Sequence, residues 1–387
     1  MERRTHRKSR NGCIECKRRH IKCDEKRPIC SNCISSERLC GYAELTFLAM
    51  QPGGAGRKRA RSQESPSSSS PSELPSLAQP DPPVNMLHAE LFYHLSTKTL
   101  PSLSENDSRL TILPEETINY GLAAPYLMNE LLALAALHLS IIRTSQKEFY
   151  RYHSAQLQNH ALRLFHETKL EHSGQVSVPA FCFSSILGLH LLCDTLAFRD
   201  DDFQDFLDRF IHYLRIHRGV RTIIKGNWGF LKQTSLGGVL TEGEARLYND
   251  SGLEEVCARL LGLIKKAKLG PVTTRIYEQA IGALQRSINA SKDDTAGGGK
   301  HGAVAWPVMV SVEYTDMLVE RRPEALVILA HYAVLLYRCR DMWIFDDGGR
   351  FLIGSVARYL GAEWREWMEW PQSVLVGSAD QCQAAGS

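Results

Sequence analysis

The chain has no run of about 18 uninterrupted apolar residues, the length that a membrane-spanning helix needs. The nearest, LLALAALHLSII at 131–142, is shorter and contains His138. A buried helix is expected there, and no membrane span. No apolar run follows the basic start MERRTHRKSRNG, so a secretory signal is not expected and the cysteines are read in a reducing compartment. A Gly-rich phosphate loop, a Gly-x-Ser-x-Gly elbow, a His-Glu-x-x-His pair and a kinase signature are all missing, which excludes the enzyme classes built on them. The chain is read as a non-enzyme. Alternation of apolar and polar residues at period two is scarce, which argues against a β-rich body.

Cysteine is sparse outside one short stretch. Six of the eleven lie within 13–40, and Cys182, Cys193, Cys257, Cys339 and Cys382 are scattered without a pattern and read as free buried thiols. Charge divides the same way: residues 1–61 hold 16 Lys and Arg against 6 Asp and Glu, and residues 62–387 hold 30 against 37. A basic end on a mildly acidic body is the asymmetry expected when one end meets a polyanion. The apolar content of 43% in 387 residues allows a sizeable core. Composition then marks a cysteine-rich basic head with an N-terminal arm (1–43), a linker (44–84), a hydrophobic body (85–375) and a short disordered tail (376–387). The linker carries RSQESPSSSSPSELPSLAQPDPP, dense in Ser and Pro. It cannot bury enough surface to offset its ordering entropy and is expected to be disordered.

The body reads as helix after helix. In KEFYRYHSAQLQNHALRLFHE, Phe149, Tyr152, Leu157, Ala161, Leu164 and Phe165 recur at helical spacing, as do Phe203, Phe206, Leu207, Phe210 and Leu214 in FQDFLDRFIHYLRI. Further helices are expected at 126–142, 180–198, 253–266, 275–290 and 323–343, separated by breakers such as HSGQVSVP and DDTAGGGKHG. An all-α domain packed by ridges and grooves follows. Phe181, Phe183, Phe198, Trp228 and Tyr337 are candidates to line an apolar pocket, although aromatics at helical spacing also serve as plain core. His138, His153, His160 and His190 are read as packing or surface histidines, and Trp364, Trp367 and Trp370 as one helix face docked on the body.

The head writes Cys-x2-Cys-x6-Cys twice, in CIECKRRHIKC at 13–23 and CSNCISSERLC at 30–40. In a reducing compartment such pairs bind metal more naturally than they form disulfides, and all-thiolate sites suit zinc. Two tetrahedral sites need eight metal–sulfur bonds; six cysteines supply them when two thiolates bridge. Few apolar residues are present to build a core, so metal binding, on the order of 10 kcal/mol or more, is expected to hold the segment folded. Lys17, Arg18, Arg19, His20 and Lys22 fill the first half, whereas only Glu37 and Arg38 are charged between Cys33 and Cys40. The first half is therefore the one expected to meet a polyanion.

These spacings, with Arg27-Pro28 ahead of the fourth cysteine, resemble the fungal zinc binuclear cluster family of transcription factors. The resemblance implies two zinc ions per chain, with Cys13 and Cys30 bridging, Cys16 and Cys23 completing one site, and Cys33 and Cys40 the other. It implies that Arg19 and His20, the third and fourth residues after the second cysteine, read CGG-like triplets of double-stranded DNA; many relatives carry Lys where this chain has His20. Dimerising members usually place a coiled coil after the cluster, but GYAELTFLAMQPGGAGRKRA shows no sustained heptads. A single-site monomer and a dimer made through the body both stay open. Arg57, Lys58, Arg59 and Arg61 read as a nuclear localisation signal or a further phosphate clamp.

The segments LLALAALHLS, YHSAQLQNHALRLF and RIHRGVRTIIKGNWGFL look similar to the helical regulatory region of fungal sterol uptake control proteins. That resemblance implies control by a sterol-like or other apolar ligand. The expected architecture is a small two-zinc binuclear cluster head plus an all-α regulatory domain, joined by a disordered linker. The expected function is that of a nuclear RNA polymerase II transcription regulator, an activator on family grounds, that contacts transcription machinery or a co-regulator. The competing reading is a zinc-stabilised adaptor whose helical body docks another regulator.

Overall fold

The computed structural model describes residues 13–19, 21–26, 30–36, 83–104, 114–168, 178–199, 202–249, 252–292 and 300–384. It divides into two units, Met1–Gln79 and Pro80–Ser387. The stretch expected to be a disordered linker lies almost wholly outside the described residues. In the first unit the described helices are two short ones, α1 (Ile14–Arg18) and α2 (Ser31–Ile34), one for each cysteine half. Asp24 accepts from the Ser31 N–H at 3.1 Å and so caps α2, where Cys30 offers no side-chain cap.

The second unit opens with α3 (Met86–His94), which continues through a π-helical turn (Leu95–Thr99) into α4 (Leu100–Ser104). Then come α5 (Pro114–Ala123), α6 (Pro125–Ile142), α7 (Lys147–Glu167), α8 (Val178–Ala197), α9 (Phe203–Leu231) and α10 (Gly237–Leu247). The remainder is α11 (Glu255–Lys266), α12 (Pro271–Ala290), α13 (Lys300–Met309), α14 (Val312–Val319), α15 (Pro323–Arg338), α16 (Gly348–Leu360) and α17 (Arg365–Ala384). No strand occurs among the described residues, as the missing alternation implied. Local chemistry sets several boundaries. Pro125, Pro271 and Pro323 sit in first turns, where a missing N–H costs nothing, and Asp202 and Ser311 cap α9 and α14 through their side chains.

Two large apolar cores organise the described part of the body, beside a small one of Leu231, Leu236 and Leu240. The larger surrounds α15, buried without interruption from Ala325 to Tyr337, and includes residues of α8, α9, α11, α12, α13, α14 and α16. Trp306 stacks on Tyr332 there, with ring centroids 4.3 Å apart. The smaller joins α6 to α3, α7 and α8. α6 and α8 are long and apolar enough to span a bilayer by composition, yet 72% and 56% of their apolar windows are buried within the body.

Three expectations need correction. On α7 the buried face is Tyr150, Ser154, Leu157 and Ala161, while Phe149 and Tyr152 are 48% and 54% exposed. At 100° per residue Tyr150 and Ser154 share the row of Leu157 and Ala161, whereas the row of Phe149 and Tyr152 runs on into Gln156, His160 and Arg163 and stays outward. The helix expected at 323–343 ends at Arg338, because the following turn drives Ile344 and Phe345 into the larger core. The terminal helix runs to Ala384, past the boundary at 375 where a disordered tail was expected. Trp364, Trp367 and Trp370 pack against the larger core, with Trp370 stacked on His331.

Candidate metal centre and nucleic-acid interface

Cys13, Cys16, Cys23, Cys30 and Cys33 are all buried and carry free thiols. The Sγ atoms of Cys13, Cys16, Cys23 and Cys30 lie within 4.8 Å of one another. Cys13 Sγ is 3.7 Å from Cys30 Sγ and 3.7 Å from Cys33 Sγ, and Cys16 Sγ is 3.6 Å from Cys30 Sγ. A zinc tetrahedron with Zn–S bonds of ~2.3 Å has an edge of about 3.8 Å. These separations therefore fit zinc, and they are too long for S–S bonds of ~2.05 Å. Cys13 and Cys30 each approach a thiol of the opposite half. Cys40 lies outside the described residues.

The backbone presents donors to this cluster. The Cys16 N–H points at Cys13 Sγ (3.3 Å), and the N–H groups of Cys13 and Glu25 point at Cys23 Sγ (3.4 Å each). Glu25 adopts a left-handed φ of 58° in the turn that aims its N–H. Burial pushes the Cys13 and Cys30 thiols up, but the N–H groups three residues on and the thiols of Cys16 and Cys33 outweigh it, leaving both below the ordinary thiol range. Burial and neighbouring thiols raise Cys16 to about 12.

Lys17, Arg18, Arg19 and Lys22 are exposed, and His20 lies outside the described residues. Arg18 pairs with Glu15 at 2.9 Å along α1. Arg19 Nη1 donates to Ser36 Oγ at 2.8 Å, and Asn32 Nδ2 donates to the Lys22 carbonyl at 2.7 Å. Neither Asn32 nor Ser36 was singled out in the sequence; the available signal was two polar residues four apart in the cation-poor half. Arg57, Lys58, Arg59 and Arg61 fall outside the described residues.

In the body, the five candidate pocket aromatics do not converge. Phe181 lines a cavity of ≈ 340 Å³ with Leu100, Leu103, Ile186, Val304 and Phe345, beside the polar groups of Thr117, Lys300 and His301. Phe183 stacks on Phe165, Phe198 lies under the Arg151 guanidinium, Tyr337 is buried against α16, and Trp228 packs on Leu231, Leu236 and Leu240. His138 is buried and bonded to His94 and Thr99, and its pKa is lowered to about 4 by burial. His190 is buried between Ser154 and Glu130. His153 is half-buried and His160 exposed, so all four fit packing or surface roles.

Comparison with known proteins agrees with the head's geometry. Residues 11–46 match the model of the fungal Zn(2)-Cys(6) binuclear cluster domain, a domain that binds two zinc ions. A Zn(2)-C6 fungal-type transcription factor of Gibberella zeae is 25% identical over 97% of this chain and 87% of its own length. The Zn(2)-C6 fungal-type transcription factor afumD of Aspergillus fumigatus is 24% identical over 85% of each. Sterol uptake control protein 2 of Candida albicans is 56% identical, but only over 41 residues, 11% of this chain and 6% of that protein. Of these three, the first two are similar along the body as well as the head. With its six-cysteine spacing, its thiols gathered at zinc-tetrahedron distances and this match, the head is a fungal Zn(2)-Cys(6) binuclear cluster domain, followed by an all-α body.

Proposed function

We propose that the chain is a sequence-specific, zinc-dependent transcription regulator that acts in the nucleus and reads a CGG-like triplet in the DNA major groove. The observation that carries this reading is the pairing of a zinc-competent thiol cluster with four exposed basic side chains, Lys17, Arg18, Arg19 and Lys22, all on its first half. Cys13 and Cys30 would bridge two zincs, Cys16 and Cys23 would complete one site, and Cys33 and Cys40 the other. The zinc supplies folding free energy, on the order of 10 kcal/mol or more. The chain's own residues do the recognition. Arg19 and His20 meet base edges, where a guanidinium suits the O6 and N7 acceptors of guanine. Lys17, Arg18 and Lys22 meet phosphates, which position the head without reading sequence. Activation is the mode of regulation proposed, with Arg57, Lys58, Arg59 and Arg61 directing nuclear import.

The test is selection of bound duplexes from a random pool by the full-length protein, with and without chelator, alongside zinc analysis. Two zincs and an enriched CGG-like triplet, both lost on chelation, are expected. Metal without enrichment would refute sequence-specific reading. Within the selected complex, Arg19→Ala should relax or abolish triplet preference, whereas Lys22→Ala should weaken all duplexes alike and reduce the salt slope by about one.

For the body we propose ligand control of that activity. Supporting it is the apolar cavity at Phe181, whose ≈ 340 Å³ falls at the small end of the ~300–1,000 Å³ typical of small-molecule pockets. A sterol-like or smaller apolar molecule is the ligand class. Its binding should raise the thermal midpoint of the full-length protein, and Ile186→Trp, which fills the cavity, should remove that shift.

A further inference from the structure

The second cysteine half holds the basic half in a defined posture. Ser36 Oγ lies 2.8 Å from Arg19 Nη1 and 2.5 Å from the Asn32 carbonyl oxygen. A guanidinium only donates, so Ser36 Oγ accepts from Arg19 and gives its own proton to Asn32. The Asn32 side chain in turn donates to the Lys22 carbonyl at 2.7 Å. Two residues of the second half thus grip the first at Arg19 and at Lys22, on either side of position 20. Of the other described cations between Cys16 and Cys23, Arg18 pairs within α1, and Lys17 and Lys22 extend their side chains into solvent.

From this geometry we infer that Ser36 is a positioning residue for base reading, acting through Arg19. The inference rests on the assignment of Arg19 as a base reader. One of the five guanidinium N–H groups is committed to Ser36, which leaves four for a guanine edge. An untethered arginine surrenders its rotamer freedom when it meets a base; here part of that ordering is complete before DNA arrives. Phosphate contacts tolerate many side-chain postures, so non-specific affinity does not depend on the tether. Asn32 serves the same end one step back, by fixing both the proton of Ser36 and the backbone beyond position 20. The polar residues of the cation-poor half therefore have a use in recognition, besides supplying zinc ligands.

The experiment uses zinc-loaded full-length protein and measures fluorescence anisotropy on two duplexes, one carrying the selected triplet and one scrambled, with zinc content determined in parallel. Ser36→Ala should lower the specificity ratio by about 2- to 12-fold, the range for one immobilised side chain, with scrambled-duplex affinity and two zincs unchanged. Ser36→Thr, which keeps the hydroxyl, should retain the ratio. In an Arg19→Ala background, Ser36→Ala should change nothing further, because its effect passes through Arg19. An unchanged ratio in Ser36→Ala, an equal loss in both backgrounds, or loss of zinc would each overturn the inference. If Arg19→Ala alone leaves the ratio intact, the base-reader assignment fails; if Arg19→Ala lowers it and Ser36→Ala does not, the tether alone fails.

Discussion

Helix α16 crosses α15 at Gly349, and the closeness of that crossing can be tested by the sign of a single substitution. A Cβ at Gly349 would lie 2.3 Å from the Tyr337 nitrogen, 2.6 Å from the Ala333 carbonyl oxygen and 2.7 Å from the Tyr337 Cα. All three are backbone atoms of a helix buried in the larger core, so no rotamer change relieves the clash. Restoring ordinary contact at 3.4 Å requires the first of these distances to grow by 1.1 Å, against an interior packed like an organic crystal. Overpacking of this kind costs about 1–3 kcal/mol. Gly354, in the interior of the same helix, has nothing within 4 Å of its would-be Cβ. Alanine there removes glycine's backbone entropy and should stabilise by up to about 1 kcal/mol. In urea denaturation of the full-length protein, with an m-value near ~3 kcal/mol/M, the midpoint should fall by about 0.3–1 M for Gly349→Ala and rise by up to about 0.3 M for Gly354→Ala. A Gly349→Ala protein as stable as the parent, or more so, would refute the close crossing.

Other consequences are open to similar checks. His190 Nδ1 lies 3.0 Å from Glu130 Oε1 in the smaller core, and Glu130 Oε2 has no hydrogen-bond partner among the described residues. His190→Ala should therefore cost about 1–3 kcal/mol by leaving the buried polar group of Glu130 without its hydrogen-bond partner, and a joint Glu130→Leu, His190→Leu protein should lose less. Burial lowers His138, His217 and His331 to about 4. The unfolded chain protonates these groups first, so stability is full above pH ~6.5 and declines as pH falls toward 4, by up to about 1.4 kcal/mol per pH unit for each histidine. A urea midpoint that stays flat between pH 7 and 4.5 would contradict this. Chelation should abolish DNA binding yet leave far-UV ellipticity nearly unchanged, since α1 and α2 are short and the body has its own cores. A large loss of ellipticity would show that the body depends on the metal.

The cysteine cluster and the charge of the head were legible because metal chemistry tolerates few substitutes: thiols at fixed separations and cations confined to one copy are local features of the sequence. All-α character was legible from hydrophobic period and breakers, which are also local. The inward face of α7 was blurred by Phe149 and Tyr152, two aromatics that flank the buried row of Tyr150, Ser154, Leu157 and Ala161 and stay exposed. Nor could a row of letters reveal that Phe181 lines a cavity while Phe183, two residues on, fills a core. The hydrogen bond from Arg19 to Ser36 belongs to the same class: it joins residues 17 apart that meet only when both cysteine halves close on a shared centre. Short-range chemistry thus specified the cysteine cluster, the run of basic residues and the helices, whereas the cavity and the tether came from packing, in which each surface is defined by its neighbour.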